Sequence, residues 1–172
     1  QLATTYGGGI TGLGNETIVL TDTTLAAATL TPTVNAYSSV AINANSVETL
    51  TGTNAEILAV YTADTATTVI VDTDADLEVS DGITVTEANV LNGKTSGAVT
   101  ATISNTAIAD LDDLAGTGHA YTVTVATQSV TAAALNAVNA ATTVNVTATA
   151  VTTITGTAAQ LATTYGGGIT GL

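Results

Sequence analysis

The sequence predicts a mainly β chain with short helices, an α/β solenoid of about six coils per 159-residue period. Three observations predict it: an internal repeat, a composition suited to a narrow core, and strand-like runs alternating with capped helix starts. Residues 1–13 read QLATTYGGGITGL and residues 160–172 read QLATTYGGGITGL again, an identity at a shift of 159 (160 minus 1). So long a match is not expected by chance, and residues 160–172 are therefore expected to start the next period of a longer repeat protein.

Composition narrows the core. The chain of 172 residues has no Phe, Trp, Met or Cys, and its 3% aromatic content is five Tyr. Ala, Val, Ile and Leu carry the apolar fraction, and Thr supplies about a quarter of all residues. Small branched side chains fill thin interiors, whereas large rings fill thick ones. A narrow core repeated many times is expected, not one wide core.

Six runs of period-two apolar residues read as strands: Ile18-Val19-Leu20, Val40-Ala41-Ile42, Val69-Ile70-Val71, Val99 to Ile103, Val123-Thr124-Val125 and Val144-Asn145-Val146. Helix candidates lie between them. The clearest begins at Thr53-Asn54-Ala55-Glu56, a capping box followed by Ile57, Leu58 and Tyr61. Others are Thr24 to Leu30 ended by Pro32, Thr86 to Asn92 ended by Gly93, Asp110 to Ala115, Ser129 to Ala140, and Thr157 to Tyr165 ended by Gly166-Gly167-Gly168. None is long enough to be stable alone, so each must dock an apolar stripe on strands. Self-alignment gives diverged sub-repeats at about 17–53, 77–114 and 122–157 within one continuous window, 1–172. The alternative architecture is a string of small β-rich Ig-like domains of about 53 residues each, which would bury little without disulfides or metals.

Charge excludes partners. Fourteen acidic residues face one Lys and no Arg, for a net charge of −13. Nucleic acid binding needs cations to neutralise phosphate, and Lys94 alone does not supply them. No apolar run approaches the roughly 20 residues of a spanning helix. High hydropathy with low charge density argues for a folded chain. The expected object is a soluble anionic rod that associates with further repeats or copies of itself.

Chemistry-bearing residues are few. His119, in the turn-like AGTGHAY, is the only imidazole, and Ser104 and Ser129 stand in no nucleophile motif, so no catalytic residue is expected and no enzyme is read here. Gly7 to Gly14 resembles a phosphate loop, but no Lys-Ser/Thr follows and Asn15-Glu16 is acidic, which favours a turn between helix and strand. Asp72, Asp74, Asp76 and Glu78 are the candidate metal ligands, an alternating carboxylate run that offers hard oxygens to Ca2+, flanked by Asp64 and Asp81. The run departs from an EF-hand loop at Leu77, where Gly is required, and the competing reading is a solvated acidic loop. Asp110, Asp112 and Asp113 form a poorer second group. Thr-x-Thr pairs, among them Thr21/Thr23, Thr51/Thr53, Thr84/Thr86, Thr100/Thr102, Thr122/Thr124, Thr147/Thr149 and Thr155/Thr157, suggest ice- or crystal-surface binding as a further alternative, against which stands their uneven spacing.

ITGLGNETIVLTDTTLAAATL (10–30), VETLTGTNAEIL (47–58) and ITGTAAQLATTY (154–165) resemble the tandem units of very large cell-surface and extracellular repeat proteins of bacteria, notably marine cyanobacteria. The resemblance implies export, an extracellular or cell-surface location, fibre formation and, in some members, Ca2+ dependence. It carries over no catalytic residue, and the Gly-Gly-x-Gly-x-Asp nonapeptide of Ca2+-binding secreted repeats is missing. The expected function is a structural module of an extracellular filament, surface coat or giant cell-surface protein. The alternative is a Ca2+-dependent adhesin or glycan-binding spacer.

Overall fold

The computed structural model describes Thr5 and residues 12–172. In chain order the elements are β1 (Thr24–Ala26), a π-helix (Thr29–Val34) continued by a 3-10 turn (Asn35–Tyr37), β2 (Ile42–Ala44), β3 (Thr49–Gly52), α1 (Asn54–Thr65), β4 (Val69–Val71), β5 (Asp76–Ile83), α2 (Val85–Asn92), β6 (Val99–Ile103), α3 (Ile108–Leu111), β7 (Ala120–Thr122), β8 (Ser129–Thr131), α4 (Ala132–Ala141), β9 (Val146–Thr147), β10 (Thr153–Thr155), α5 (Ala158–Gly166) and β11 (Ile169–Thr170).

This is an α/β fold with a five-stranded sheet in the order β1-β3-β5-β6-β7 and three two-stranded sheets, β8-β10, β9-β11 and β2-β4. It overturns the expected six-coil solenoid. The strands do not stack in one uninterrupted series: β2 and β4 pair with each other, apart from the central sheet. It also overturns the Ig-like alternative, which requires antiparallel hairpins. The ladders β1–β3, β3–β5, β6–β7, β2–β4, β8–β10 and β9–β11 are all parallel. The difference has a physical source: period-two alternation picks out Val- and Ile-rich runs, whereas most of the central sheet is built from Thr- and acid-bearing segments that run directly into helices.

The chain divides into two compact units, residues 1–80 with 94–97 and residues 81–93 with 98–172. In the first, Leu25, Leu50 and Leu77 lie side by side on β1, β3 and β5, and Leu50 and Leu77 are fully covered. Ile42 beside Val69 and Ala44 beside Val71 line β2 and β4, and Ile57 and Val60 of α1 are buried with them in the core. In the second, Ala101 lies beside Tyr121, and Leu91, Leu135, Val138 and Val146 complete a core whose largest fully buried side chain is Tyr121. Each such Leu or Val contributes about 1.5–3 kcal/mol by leaving water.

Helix starts follow the sequence closely. Thr53 Oγ1 accepts from the Glu56 N–H at 3.3 Å while Glu56 Oε2 accepts from the Thr53 N–H at 2.8 Å, closing the expected capping box. Thr84 with Glu87 and Thr157 with Gln160 repeat the arrangement, and Thr131 caps α4 from Ala134. Pro32 breaks the helical backbone as expected: Thr31 is extended (φ −126°, ψ 128°), the geometry that a residue before proline prefers, and helical backbone resumes only beyond that kink. The expected helix start at Thr24 is instead β1.

The recurring Thr-Gly-Thr step also acquires a reason. A Cβ on Gly52 would stand 3.3 Å from Cβ of Ala27, the residue beside it one strand back, and a Cβ on Gly156 would stand 2.8 Å from Cβ of Ala132. Two alanines do not fit in that row, so the strand entering a helix carries Gly where its neighbour carries Ala. Thr53→Ala is expected to lose about 1 kcal/mol of stability through its cap, and Leu50→Ala about 2–5 kcal/mol through a cavity. Urea unfolding followed by circular dichroism measures both, and equal losses would contradict the ranking.

Candidate functional site

Asp72 to Ala75 form the turn between β4 and β5, and Asp76 opens β5. Asp72 is half-buried and Asp74 exposed in that turn. Asp76 and Glu78 project outward from β5, in the rows of Thr49 and Thr51. The turn therefore breaks the alternation that would align the first three carboxylates on one face. Asp72 and Asp74 do meet: a side-chain hydrogen bond with Asp72, which the protonated Asp74 donates, and the Asp72 charge raise the Asp74 carboxyl from its ordinary value, with Asp76 adding to the effect. Among the described residues no three acidic or histidine side chains gather as a metal-holding group. Asp64 is committed elsewhere, since its Oδ1 accepts from the Val71 N–H at 3.2 Å. In the second acidic group, Asp110 Oδ2 accepts from Asn105 Nδ2 at 3.1 Å, while Asp112 and Asp113 are exposed.

His119, in the turn-like segment, is buried. It is 4% exposed, next to β7, with its ring centroid 5.1 Å from that of Tyr121 at a tilt of 38°. The Val99 N–H donates to Nδ1 at 3.1 Å, so Nδ1 is unprotonated. Nε2 then carries the proton and donates to Asn92 Oδ1 at 2.7 Å. Gly116, at φ +86°, leaves room for this pair, because a Cβ there would lie 2.5 Å from Nε2. Both ring nitrogens are spent on neutral structural bonds, and burial lowers the imidazole's proton affinity. The adjoining Tyr121 hydroxyl is pushed up to about 12 by the same desolvation. The cluster is a joint holding α2, β6 and β7, without a nucleophile in it.

Residues 7–11 of the glycine run lie outside the described residues. At its described end Glu16 Oε2 accepts from the Gly14 N–H at 2.6 Å, so that amide is already bonded to a carboxylate. In the second copy of the run, α5 ends at Gly166, and β11 begins at Ile169. Among the described residues Thr stands beside Thr at Thr24–Thr49, Thr102–Thr122 and Thr131–Thr155, but Thr49 also lies beside Asp76, Thr51 beside Glu78 and Thr100 beside Ala120, which interrupts the Thr rows. An open groove of about 320 Å³ lined by Ile108, Asp112, Val130, Ala134 and Thr155 holds no catalytic pair.

One device escaped the sequence reading. Asn136, fifth after the capping Thr131, donates to the Gln160 carbonyl at 3.1 Å and accepts from Thr164 Oγ1 at 2.8 Å, tying α4 to α5. Asn89, fifth after Thr84, likewise donates to the Asp113 carbonyl at 2.9 Å and accepts from the Ala115 N–H at 2.8 Å. A capping Thr followed five residues later by Asn was the signal available. Comparison with known proteins adds no relative: the chain matches no protein-family profile, no curated protein and no solved structure.

His119 sets a pH dependence. Its folded-state affinity is depressed, so its contribution is present above the unfolded value of about 6.5 and is lost as pH falls from there through the folded value. Because it is the only His, stability should decline between pH 7.5 and 5.5 in the natural chain and stay flatter in His119→Gln. Urea midpoints across that range measure it; identical slopes would refute the assignment.

Proposed function

We propose that the chain is a non-catalytic structural repeat module of an extracellular filament, surface coat or giant cell-surface protein. The observation that carries this reading is the identical thirteen-residue stretch, together with how its second copy is used. Residues 160–172 supply most of α5 and all of β11, docked on the preceding turn through Asn136 and through Ile169 beside Val146. A sequence kept identical over that distance, with Gln160 and Thr164 joined to α4 and Ile169 to β9, suits a repeating scaffold.

The fate of the polar groups supports the same reading. His119, Asn89, Asn92 and Asn136, which could have served chemistry, bind backbone or one another. Net charge of −13 keeps such modules soluble and resists adventitious packing. An exported location follows from the role and from the resemblance to bacterial surface repeats. No helix among the described residues is long and apolar enough to cross a membrane.

Negative-stain electron microscopy of the native multi-period protein tests the proposal. Extended filaments or a continuous surface layer are expected; isolated compact particles would contradict it.

A further inference from the structure

We propose that residues 93–97 form a protease-resistant clasp: the one bond of this chain open to Lys- or Arg-specific proteases, Lys94–Thr95, is shielded by its attachment to the turn at residues 73–75. The clasp rests on the geometry of that segment alone. Its value to a module exposed outside cells rests on the structural reading above.

Scarcity comes first. Proteases of the trypsin class recognise the cationic side chain before the cut through a carboxylate in their specificity pocket. An ordinary chain of this length carries about 20 Lys and Arg residues. This one carries a single Lys and no Arg, so attack by the whole class is decided at one place.

Recognition there is not blocked, but the backbone is held. Lys94 is exposed, just past the end of α2. Downstream, Thr95 is 8% exposed, and its Oγ1 donates to the Ala75 carbonyl at 2.6 Å and accepts from the Gly97 N–H at 2.8 Å. The Ser96 N–H donates to the Thr73 carbonyl at 2.9 Å, and Ser96 Oγ donates to the same oxygen at 3.3 Å. Gly97 is seated so closely that a Cβ there would collide with the Asp74 and Ala75 carbonyl oxygens. Upstream, the Gly93 N–H donates to the Asn89 carbonyl and closes α2.

A protease binds its substrate as an extended strand, and residues flanking the cut must give their N–H and C=O groups to the enzyme. The Gly93, Ser96 and Gly97 amides are already spent, so Lys94–Thr95 is cut only from a locally opened chain. Opening draws Thr95 from its buried position and takes from the Ala75 carbonyl its donor, which keeps the open form scarce. Residues 115–118 offer a contrast: all four are exposed, and a Cβ on Gly118 would meet nothing within 4 Å.

Trypsin digestion of the folded chain, read by mass spectrometry, tests the clasp. An Ala115→Lys chain carries two sites in one molecule, so global unfolding feeds both and their ratio reports local opening. With each rate taken relative to the urea-unfolded chain, cutting after position 115 should exceed cutting after Lys94 by at least about tenfold. Thr95→Val keeps the shape of the side chain and removes both hydroxyl bonds. Added to Ala115→Lys, it should raise cutting after Lys94 relative to position 115 by about tenfold. Equal relative rates in folded Ala115→Lys, or a ratio unmoved by Thr95→Val, would each overturn the clasp; should the Val variant not fold, the first comparison decides alone. Native filaments cut freely after Lys94 would remove the clasp and leave the structural reading standing. Compact particles that resist trypsin would remove that reading and leave the clasp.

Discussion

Parallel register is the constraint on which the rest of this molecule depends. Once Thr24 stands beside Thr49 and Thr49 beside Asp76, the leucine that follows each Thr or Asp is forced onto the leucine of its neighbour. A slip of one residue would turn those leucines to solvent and bring threonines and carboxylates into the core. The same register decides where glycine is required. Gly52 beside Ala27 and Gly156 beside Ala132 let the backbone leave the strand and enter a capped helix without two methyl groups colliding.

Local chemistry then makes the register reproducible. Four helices, α1, α2, α4 and α5, begin on a Thr whose hydroxyl satisfies an otherwise unpaired amide, and in three of them a Glu or Gln returns the bond. Asn89 and Asn136 reach from one helix to the segment that follows in space, fixing the spacing of helices to that of the strands. Small apolar side chains fill what remains, which explains why a chain without Phe or Trp still covers its core.

Some of this was legible in the sequence. The capping box at Thr53, the strands at Val69–Val71 and Val99–Ile103 and the helix closed by Gly166 follow from short-range rules and are found where expected. The architecture was not, because β1, β3, β8 and β10 are only three or four residues long, carry Thr, and merge into helix starts. Their strand character comes from a neighbour 24 to 27 residues away, which no local window contains. The burial of His119 was not legible for a similar reason: it depends on Asn92, Val99 and Gly116, none adjacent in sequence. The acidic run was visible, but the turn at Asp72–Ala75 that separates its members was not.

A structural module should hold its ladder firmly. Residue-resolved amide hydrogen exchange across β10 measures that directly. The Thr153 and Thr155 amides, bonded toward β8, should exchange slowly. Fast exchange at both would contradict the account.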